Sequence, residues 1–241
     1  MSEFTYSNAE FDQYASDYDA ALAQGLSVSG EDKLYFAQRR VEWLAGCLQS
    51  LGVRPKRVMD FGCGTGAATP FLLDVLGGET LMGVDTSDMS LQVARRTFNS
   101  GREQFALFDE YQPSGDTDLV FCNGVFHHIP VTERAAALSY VLRSLRPEGL
   151  FAVWENNPWN PGTRYVMKRI PFDKDAVTLT PPEMRRLLTS CGFEIIRRDF
   201  LFIFPRALRW LRPIEPHVSK LPFGAQYQFI CRKPGAGRRN S

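Results

Sequence analysis

Hydrophobic and polar positions follow two alternating periods along the chain, one typical of buried strands and one typical of amphipathic helices. Short apolar runs predict strands at Arg57–Phe61, Thr80–Asp85, Gln104–Phe108, Thr117–Asn123, Leu150–Glu155, Phe193–Phe204 and Ala225–Arg232. Helical spacing predicts helices at about Ala9–Ala23, Glu31–Leu51, Ala67–Leu76, Ser87–Phe98, Val131–Leu145 and Pro181–Ser190. This alternation is typical of an α/β domain in which helices cover both faces of a mostly parallel sheet.

The end of the chain departs from this alternation. No helical segment separates the last two predicted strands, so the last strand is expected to run antiparallel as a hairpin partner. With 241 residues and 44% hydrophobic content, the chain can bury one substantial core. We therefore predict a single domain, 1–241, with N-terminal cap helices in 1–52, a core in 53–233 with insertions at 156–180 and 205–224, and a tail at 234–241.

Composition narrows the classes of function. Lys and Arg total 28 against 27 for Asp and Glu, and this balance disfavours general nucleic-acid binding. The five cysteines include no Cys-x-x-Cys pair, which favours reduced thiols. The N-terminus lacks the basic and apolar blocks of a signal peptide, and no apolar run approaches the ~18 residues of a membrane span. These features predict a cytoplasmic protein with at most a peripheral membrane contact.

Glycines follow the first predicted strand in the run Val58–Gly66, where Gly62, Gly64 and Gly66 alternate with other residues. Residues without a Cβ allow a sharp strand-to-helix turn and let a ligand lie against backbone N–H groups. The turn therefore predicts a nucleotide-like cofactor. It also satisfies the dinucleotide pattern, with Asp85 placed 19 residues after Gly66, so a nicotinamide cofactor is an alternative.

Three features favour a cofactor other than a dinucleotide. Asp60, two residues before Gly62, would attract a cationic group and repel a pyrophosphate. Asp109, at the end of the third predicted strand, could accept a hydrogen bond from an adenine amino group. The third feature is the expected antiparallel last strand.

On these residues the chain resembles the class I S-adenosylmethionine-dependent methyltransferases. The matching motifs are Val58–Gly66, Gly83–Ser87, Asp109, Asp118–Ile129 and Leu145–Leu150, and the resemblance extends from about Phe11 to Lys233. It implies a three-layer, Rossmann-like α/β fold with a seven-stranded, mostly parallel sheet whose last strand is antiparallel. It also implies S-adenosyl-L-methionine as the cofactor, whereas the motifs carry no information on the methyl acceptor.

The resemblance further implies a set of cofactor-binding residues. Asp60 would favour the ammonium group, Asp85 would accept both ribose hydroxyls, and Asn123 would line the methionine end. The implied cofactor site as a whole consists of Tyr14, Tyr18, Asp60, Gly62, Cys63, Gly64, Gly66, Asp85, Thr86, Asp109 and Asn123. As alternatives, the acids could cap helices, and the two tyrosines could dock their own helix instead of closing the site.

The candidates for proton transfer are two adjacent histidines. Methyl transfer from a sulfonium needs proximity, exclusion of water and, for some acceptors, a base. His127 and His128 follow the fourth predicted strand, so either could be that base, and a structural role near the cofactor is the alternative. No spacing of His, Asp and Glu suggests a divalent-metal site, and we expect no metal.

Segments added to the shared core are expected to select the acceptor. After the fifth predicted strand, Asn156, Asn157, Trp159 and Arg164 could hydrogen-bond hydroxyls and stack on a ring, or they could form an Asx-turn loop. The basic stretch Pro205–Pro213 could lie on a membrane or grip an anionic group, or it could pack on the core.

Taken together, the residues and the resemblance predict a methyltransferase that acts on a small-molecule, sugar or lipid-linked acceptor as a monomer or homodimer. The polar acceptor segment favours O-methylation. Methylation of carbon or nitrogen is an alternative, as is a non-catalytic protein that binds the cofactor.

Overall fold

The computed structural model describes residues 30–170 and 176–235. The predicted helix Ala9–Ala23, which carries Tyr14 and Tyr18, lies outside the described residues, as does most of the predicted tail.

In the described part of the chain, one sheet contains β1 (Arg57–Phe61), β2 (Thr80–Asp85), β3 (Glu103–Leu107), β4 (Thr117–Asn123), β5 (Leu145–Asn156), β6 (Glu194–Leu201) and β7 (Gln226–Arg232). The strands lie in the order β3-β2-β1-β4-β5-β7-β6. β1 to β5 pair in parallel, and β7 runs antiparallel to both of its neighbours. The predicted mixed sheet with an antiparallel last strand is therefore confirmed.

Helices cover both faces of the sheet. They are α1 (Lys33–Ser50), α2 (Thr69–Asp74), α3 (Asp88–Thr97), α4 (Arg134–Ser144), α5 (Pro161–Met167), α6 (Pro181–Ser190), a 3-10 helix (Arg206–Ile214) and α7 (Glu215–Val218). Leu44 of α1, Leu72 of α2 and Leu91 of α3 belong to one buried cluster. Leu138 of α4 and Met184 of α6 belong to the other. The result is the predicted three-layer arrangement, in which each face of the sheet has its own apolar core.

Local capping signals explain where several helices begin. Asp32 accepts a 2.7 Å hydrogen bond from the backbone N of Tyr35 at the start of α1. Thr180 and Glu183 form a reciprocal capping box at the start of α6. No described helix has the length and apolar character needed to cross a membrane.

Two strands differ from the prediction by more than one residue at one end. β5 begins at Leu145 instead of Leu150, because Leu145 already pairs with Thr117 before an irregular turn. β6 ends at Leu201 instead of Phe204, because Phe202 adopts a left-handed φ of 61°, which is incompatible with an extended strand.

Helix α5 and the 3-10 helix lie within the predicted insertions and were not predicted. The sequence does carry a signal for α5: Asn160 caps it by accepting from the backbone N of Thr163 at 3.0 Å, and Pro161 occupies the first turn.

Candidate active site

A cavity opens where the sheet order changes direction. β1 lies beside β4, and the chain continues from β1 to β2 on one side and from β4 to β5 on the other, so the loops after these strands diverge. The cavity has a volume of about 490 Å³ and is lined by residues that follow β1, β4, β5 and β6, together with the start of α1. Its volume is that of a small-molecule site.

The glycine turn after β1 forms one wall of the cavity. The backbone N–H groups of Gly62 and Cys63 donate to the carbonyl of Val84 at 2.8 and 3.1 Å, which ties the turn to the end of β2. Gly62 has φ +75°, and a Cβ there would lie 2.3 Å from a methyl group of Val125. Gly64 has φ +53°, and a Cβ there would meet no atom within 4 Å. Gly62 is therefore required by packing, whereas Gly64 leaves its backbone open to the cavity.

Two carboxyl groups flank this turn. Asp60, the penultimate residue of β1, lines the cavity and is only 4% exposed. Burial, with a contribution from the charge of Asp85, raises the pKa of Asp60 to about 8. Asp85, at the end of β2, accepts from the backbone N of Gly64 at 2.8 Å and from that of Ser87 at 3.0 Å. Asp85 thus holds the glycine turn in place, although it is not part of the cavity wall.

Asn123 ends β4 and also lines the cavity. Its Oδ1 is buried, and no described group donates a hydrogen bond to it. Because buried acceptors in proteins are nearly always satisfied, this oxygen could accept a hydrogen bond from a ligand N–H group.

A buried histidine–carboxylate pair lies after β4 and at the end of β5. Nδ1 of His127 lies 2.6 Å from Oε2 of Glu155, and the two side chains are 3% and 1% exposed. A carboxylate can only accept, so Nδ1 of His127 donates this hydrogen bond. Oε1 of Glu155 accepts from the backbone N of Val125 at 3.1 Å and of Phe126 at 2.8 Å. These bonds fix the orientation of the His127 ring beside the cavity.

His128 also lines the cavity, and its ring lies 4.1 Å from that of His127, measured between centroids. Glu155 was not among the sequence-predicted site residues. A signal for it existed, because an acid that closes an apolar strand run needs a partner when the strand is buried on both faces.

Another part of the cavity wall is built around Arg40 of α1. Its guanidinium carbon lies 5.8 Å from the ring centroid of Phe36 and 5.6 Å from that of Phe202, and its Nε donates to Oε1 of Gln226 at 2.8 Å. Nε2 of Gln226 in turn donates to Oδ1 of Asn156 at 3.0 Å. All five side chains belong to residues that line the cavity.

Not every sequence-predicted site residue reaches the cavity. Those that line it are Asp60, Gly62, Cys63, Gly64, Asn123, His127, His128 and Asn156. Those that are described but do not line it are Gly66, Asp85, Thr86, Asp109, Asn157, Trp159 and Arg164.

Three residues of the predicted acceptor segment lie away from the cavity for clear reasons. Asn157 is fully buried, and its amide donates to the carbonyls of Pro222 and Gly224, which anchors a loop. Trp159 is 48% exposed, and Arg164 lies on the exposed side of α5.

The arginine-rich stretch of the 3-10 helix is divided between the cavity and solvent. Arg212 lines the cavity and pairs with Glu31 at 2.9 Å. Trp210 is 71% exposed. A peripheral membrane contact stays a prediction. Within the residues described, no group of three or more His, Cys, Asp and Glu side chains could hold a metal ion.

Comparison with known proteins identifies the family. A family model described as a methyltransferase domain matches residues 59–151. The trans-aconitate 2-methyltransferase of Methylobacterium nodulans is 31% identical over 223 residues, which cover 84% of this chain and 86% of that protein. The chain belongs to the S-adenosylmethionine-dependent methyltransferases.

Two further comparisons agree with the assignment. The ubiquinone biosynthesis O-methyltransferase of Aromatoleum aromaticum is 28% identical over 64% of this methyltransferase and 70% of its own length. The magnesium protoporphyrin IX methyltransferase of Synechocystis, solved with bound S-adenosylhomocysteine, has the same fold, with a TM-score of 0.61 at 19% identity over 92% of this chain and 96% of that one. The protein is thus an enzyme whose cofactor is S-adenosyl-L-methionine, and the nicotinamide alternative is wrong.

The two glycines should respond differently to alanine in this methyltransferase. Gly62→Ala is expected to destabilise the fold by about 2–4 kcal/mol, since it adds a clash with Val125 to the strain of a positive φ. Gly64→Ala is expected to cost only about 1–2 kcal/mol in stability, since the added methyl group meets no protein atom. The same methyl group would occupy space beside the cavity wall that the cofactor needs, so S-adenosylhomocysteine binding is expected to weaken by about tenfold or more.

Thermal unfolding and calorimetric titration with S-adenosylhomocysteine measure the two effects. Gly101→Ala is the matched control, because Gly101 also has a positive φ with no atom near its Cβ but lies outside the cavity wall. Equal loss of binding in the Gly64 and Gly101 variants would contradict the assignment.

Proposed function

We propose that this methyltransferase transfers the methyl group of S-adenosyl-L-methionine to a hydroxyl oxygen of a small-molecule acceptor, with His127 as the general base. The observation that carries the proposal is the buried pair of His127 and Glu155 at the cavity wall. The name of the O-methyltransferase relative and the small volume of the cavity support it.

The described residues fit the cofactor at its methionine end. The buried Oδ1 of Asn123 and the carboxyl group of Asp60 are acceptors for its ammonium, and the open backbone at Gly64 allows close approach. Asp85, which accepts from the backbone N of Gly64, would also accept hydrogen bonds from the ribose hydroxyls. Tyr14 and Tyr18 lie outside the described residues, and Thr86 and Asp109 do not line the cavity. The roles of all four therefore stay predictions.

Bound S-adenosyl-L-methionine supplies a methyl group on a sulfonium whose sulfur keeps the electron pair of the breaking bond. The acceptor oxygen must lose its proton as it forms the new bond to carbon. Nε2 of His127 accepts that proton, and Glu155 stabilises the resulting imidazolium through Nδ1. His128 is the neighbouring ring and shapes the cavity wall.

Product analysis tests the proposal. The enzyme is incubated with methyl-labelled cofactor and a panel of small hydroxy compounds, amines and activated carbon acids, and the labelled product is identified by NMR. We expect the label on oxygen. A label on nitrogen or carbon would refute O-methylation, and tight S-adenosylhomocysteine binding without transfer to any acceptor would favour a binding protein.

A further inference from the structure

We propose that the 3-10 helix docks this methyltransferase on the surface of a membrane that contains anionic lipids. The inference goes beyond the proposed function and does not depend on it. The docking surface is a basic apolar patch, which consists of Arg206, Leu208, Arg209, Trp210 and Ile214.

The patch lies on a closed excursion of the chain between β6 and β7. The backbone N of Ala225 donates to the carbonyl of Phe202 at 3.2 Å, so the two ends of the excursion lie side by side. The two strands pair directly with each other, and a short turn would be enough to join them. Most of the excursion is therefore not needed for the connection, and long connections of this kind usually carry function.

The excursion exposes large apolar side chains. Trp210 is 71% exposed, and Phe223 is 61% exposed. Leu208, Ile214 and Leu221 are exposed as well. A single exposed apolar residue needs no explanation, whereas several that follow one another closely in one segment indicate an interaction surface.

Basic side chains alternate with the apolar ones in the patch. Arg206 and Arg209 are both exposed, and Arg209 directly precedes Trp210. Arg206 donates to the carbonyl of Gly30 at 3.1 Å, and no carboxylate of the described residues pairs with either arginine. An indole beside arginines is typical of segments at a membrane surface, where the ring enters the headgroup region and the cations meet lipid phosphates.

The nearby acids are buried or already engaged. Glu215 is the only acid of the excursion, and it belongs to the cavity wall and is 8% exposed. Glu31 pairs with Arg212 at 2.9 Å. Asp32 accepts from the backbone N of Tyr35 as the cap of α1. The other two arginines of the 3-10 helix keep their charge at the surface, which favours an anionic partner.

A lipid surface fits this patch better than a second copy of the chain does. In a two-fold symmetric dimer the patch would meet itself, so its arginines would face like charges. Lipid headgroups can accept the ring and the cations without a matching shape. Phe204, Pro205 and Arg212 of the excursion line the cavity, so docking would place this part of the cavity wall beside the headgroups.

Vesicle sedimentation tests the inference. The full-length enzyme is mixed with vesicles of phosphatidylcholine, either pure or with about 25% phosphatidylserine, and the bound fraction is measured as the lipid concentration is raised. We expect the anionic vesicles to bind at least about tenfold more tightly than the neutral ones, and the binding to weaken as salt is added. The formal net charge of the chain is only +1, so general attraction to anionic lipids should be weak without the patch.

Variants of exposed residues show whether the patch is responsible. Arg206→Gln combined with Arg209→Gln should weaken binding to the anionic vesicles by about 20-fold, which corresponds to about fivefold for each arginine. Trp210→Ala should weaken the binding by about tenfold. All three side chains are exposed, so the melting temperature should change little.

Arg185→Gln combined with Arg186→Gln is the matched control. It removes two exposed arginines from α6, whose core contacts lie on the sheet face opposite to α1, and it should keep the full affinity for anionic vesicles. Equal binding to both kinds of vesicle, or an equal loss in the two double variants, would overturn the inference. Self-association that Trp210→Ala abolishes, in the absence of vesicle binding, would assign the patch to a second copy instead. Because the assay measures lipid binding and not methyl transfer, its failure would leave the proposed function standing.

Discussion

Glutamine in place of Glu155 is expected to lower kcat by about 100-fold or more while leaving the affinity for S-adenosylhomocysteine almost unchanged. The amide oxygen can still accept from the backbone N of Val125 and Phe126, so the loop after β4 keeps its support. The amide nitrogen, however, donates to Nδ1 of His127 and forces the proton of the neutral ring onto Nε2. Nε2 then has no lone pair for the acceptor proton.

The pH profile of kcat distinguishes this effect from a loss of structure. His127→Gln should reduce kcat to a similar extent, and the double variant should be no slower than either single variant, because the two residues act as one unit. His128→Gln should cost less than about tenfold. A drop in melting temperature with unchanged kcat in the Glu155 variant would make the pair structural, and the base would have to be sought elsewhere.

The sequence predicts the fold well because the relevant signals are local. Thr180 and Gly192 mark the two ends of α6, and the missing crossover before Gln226–Arg232 indicates the antiparallel strand. The ends of β5 and β6 could not be predicted, because they depend on the pairing of Leu145 and on the backbone conformation of Phe202. Neither has a signature in apolar periodicity.

The residues of the site also differ in how well local sequence signals predict them. Asp60, Gly62, Gly64 and Asn123 lie at the end of a strand or in the turn directly after it, within the short motifs that carry the family resemblance, so they could be grouped from the sequence. Arg40 does not, since its bond to Gln226 joins residues 186 positions apart and its neighbour Arg39 has the same chemistry. Only the packing of α1 on the sheet shows which of the two arginines faces the cavity. The part of the cavity wall around Arg40 therefore required a structure.

Asparagine in place of Asp60 is expected to stabilise the cofactor-free enzyme at pH 8 and to have little effect near pH 4. The pKa of this carboxyl rises from 3.8 to about 8 on folding, mainly through burial. A raised pKa means that the folded state binds the proton more tightly than the unfolded state does. The contribution of this proton to the stability of the fold is therefore fully present below pH 3.8 and is lost as the pH rises to about 8. The difference between the variant and the wild type should grow over this window to about 5 kcal/mol.

The same carboxyl should make cofactor affinity depend on pH. Pairing Asp60 with the ammonium of S-adenosylhomocysteine requires an ionised carboxylate, so binding below pH 8 releases a proton. The affinity should therefore increase by up to about tenfold for each unit by which the pH rises towards 8. Well above pH 8 the amino group of S-adenosylhomocysteine loses its own proton, and affinity falls again. Calorimetric titration from pH 6 to 10 should thus show affinity rising up to about pH 8 and falling at the alkaline end in the wild type.

The Asp60→Asn variant separates the two limbs of that curve. It should bind S-adenosylhomocysteine more weakly at pH 8 and lose the rise below pH 8, while the fall above pH 8 remains, because that limb belongs to the ligand. Denaturant unfolding of the same variant and of the wild type measures the difference in the free energy of unfolding. A variant that is no more stable at pH 8 than the wild type would show that Asp60 is already ionised in the free enzyme. An unchanged rise below pH 8 would assign the proton to another group near the glycine turn.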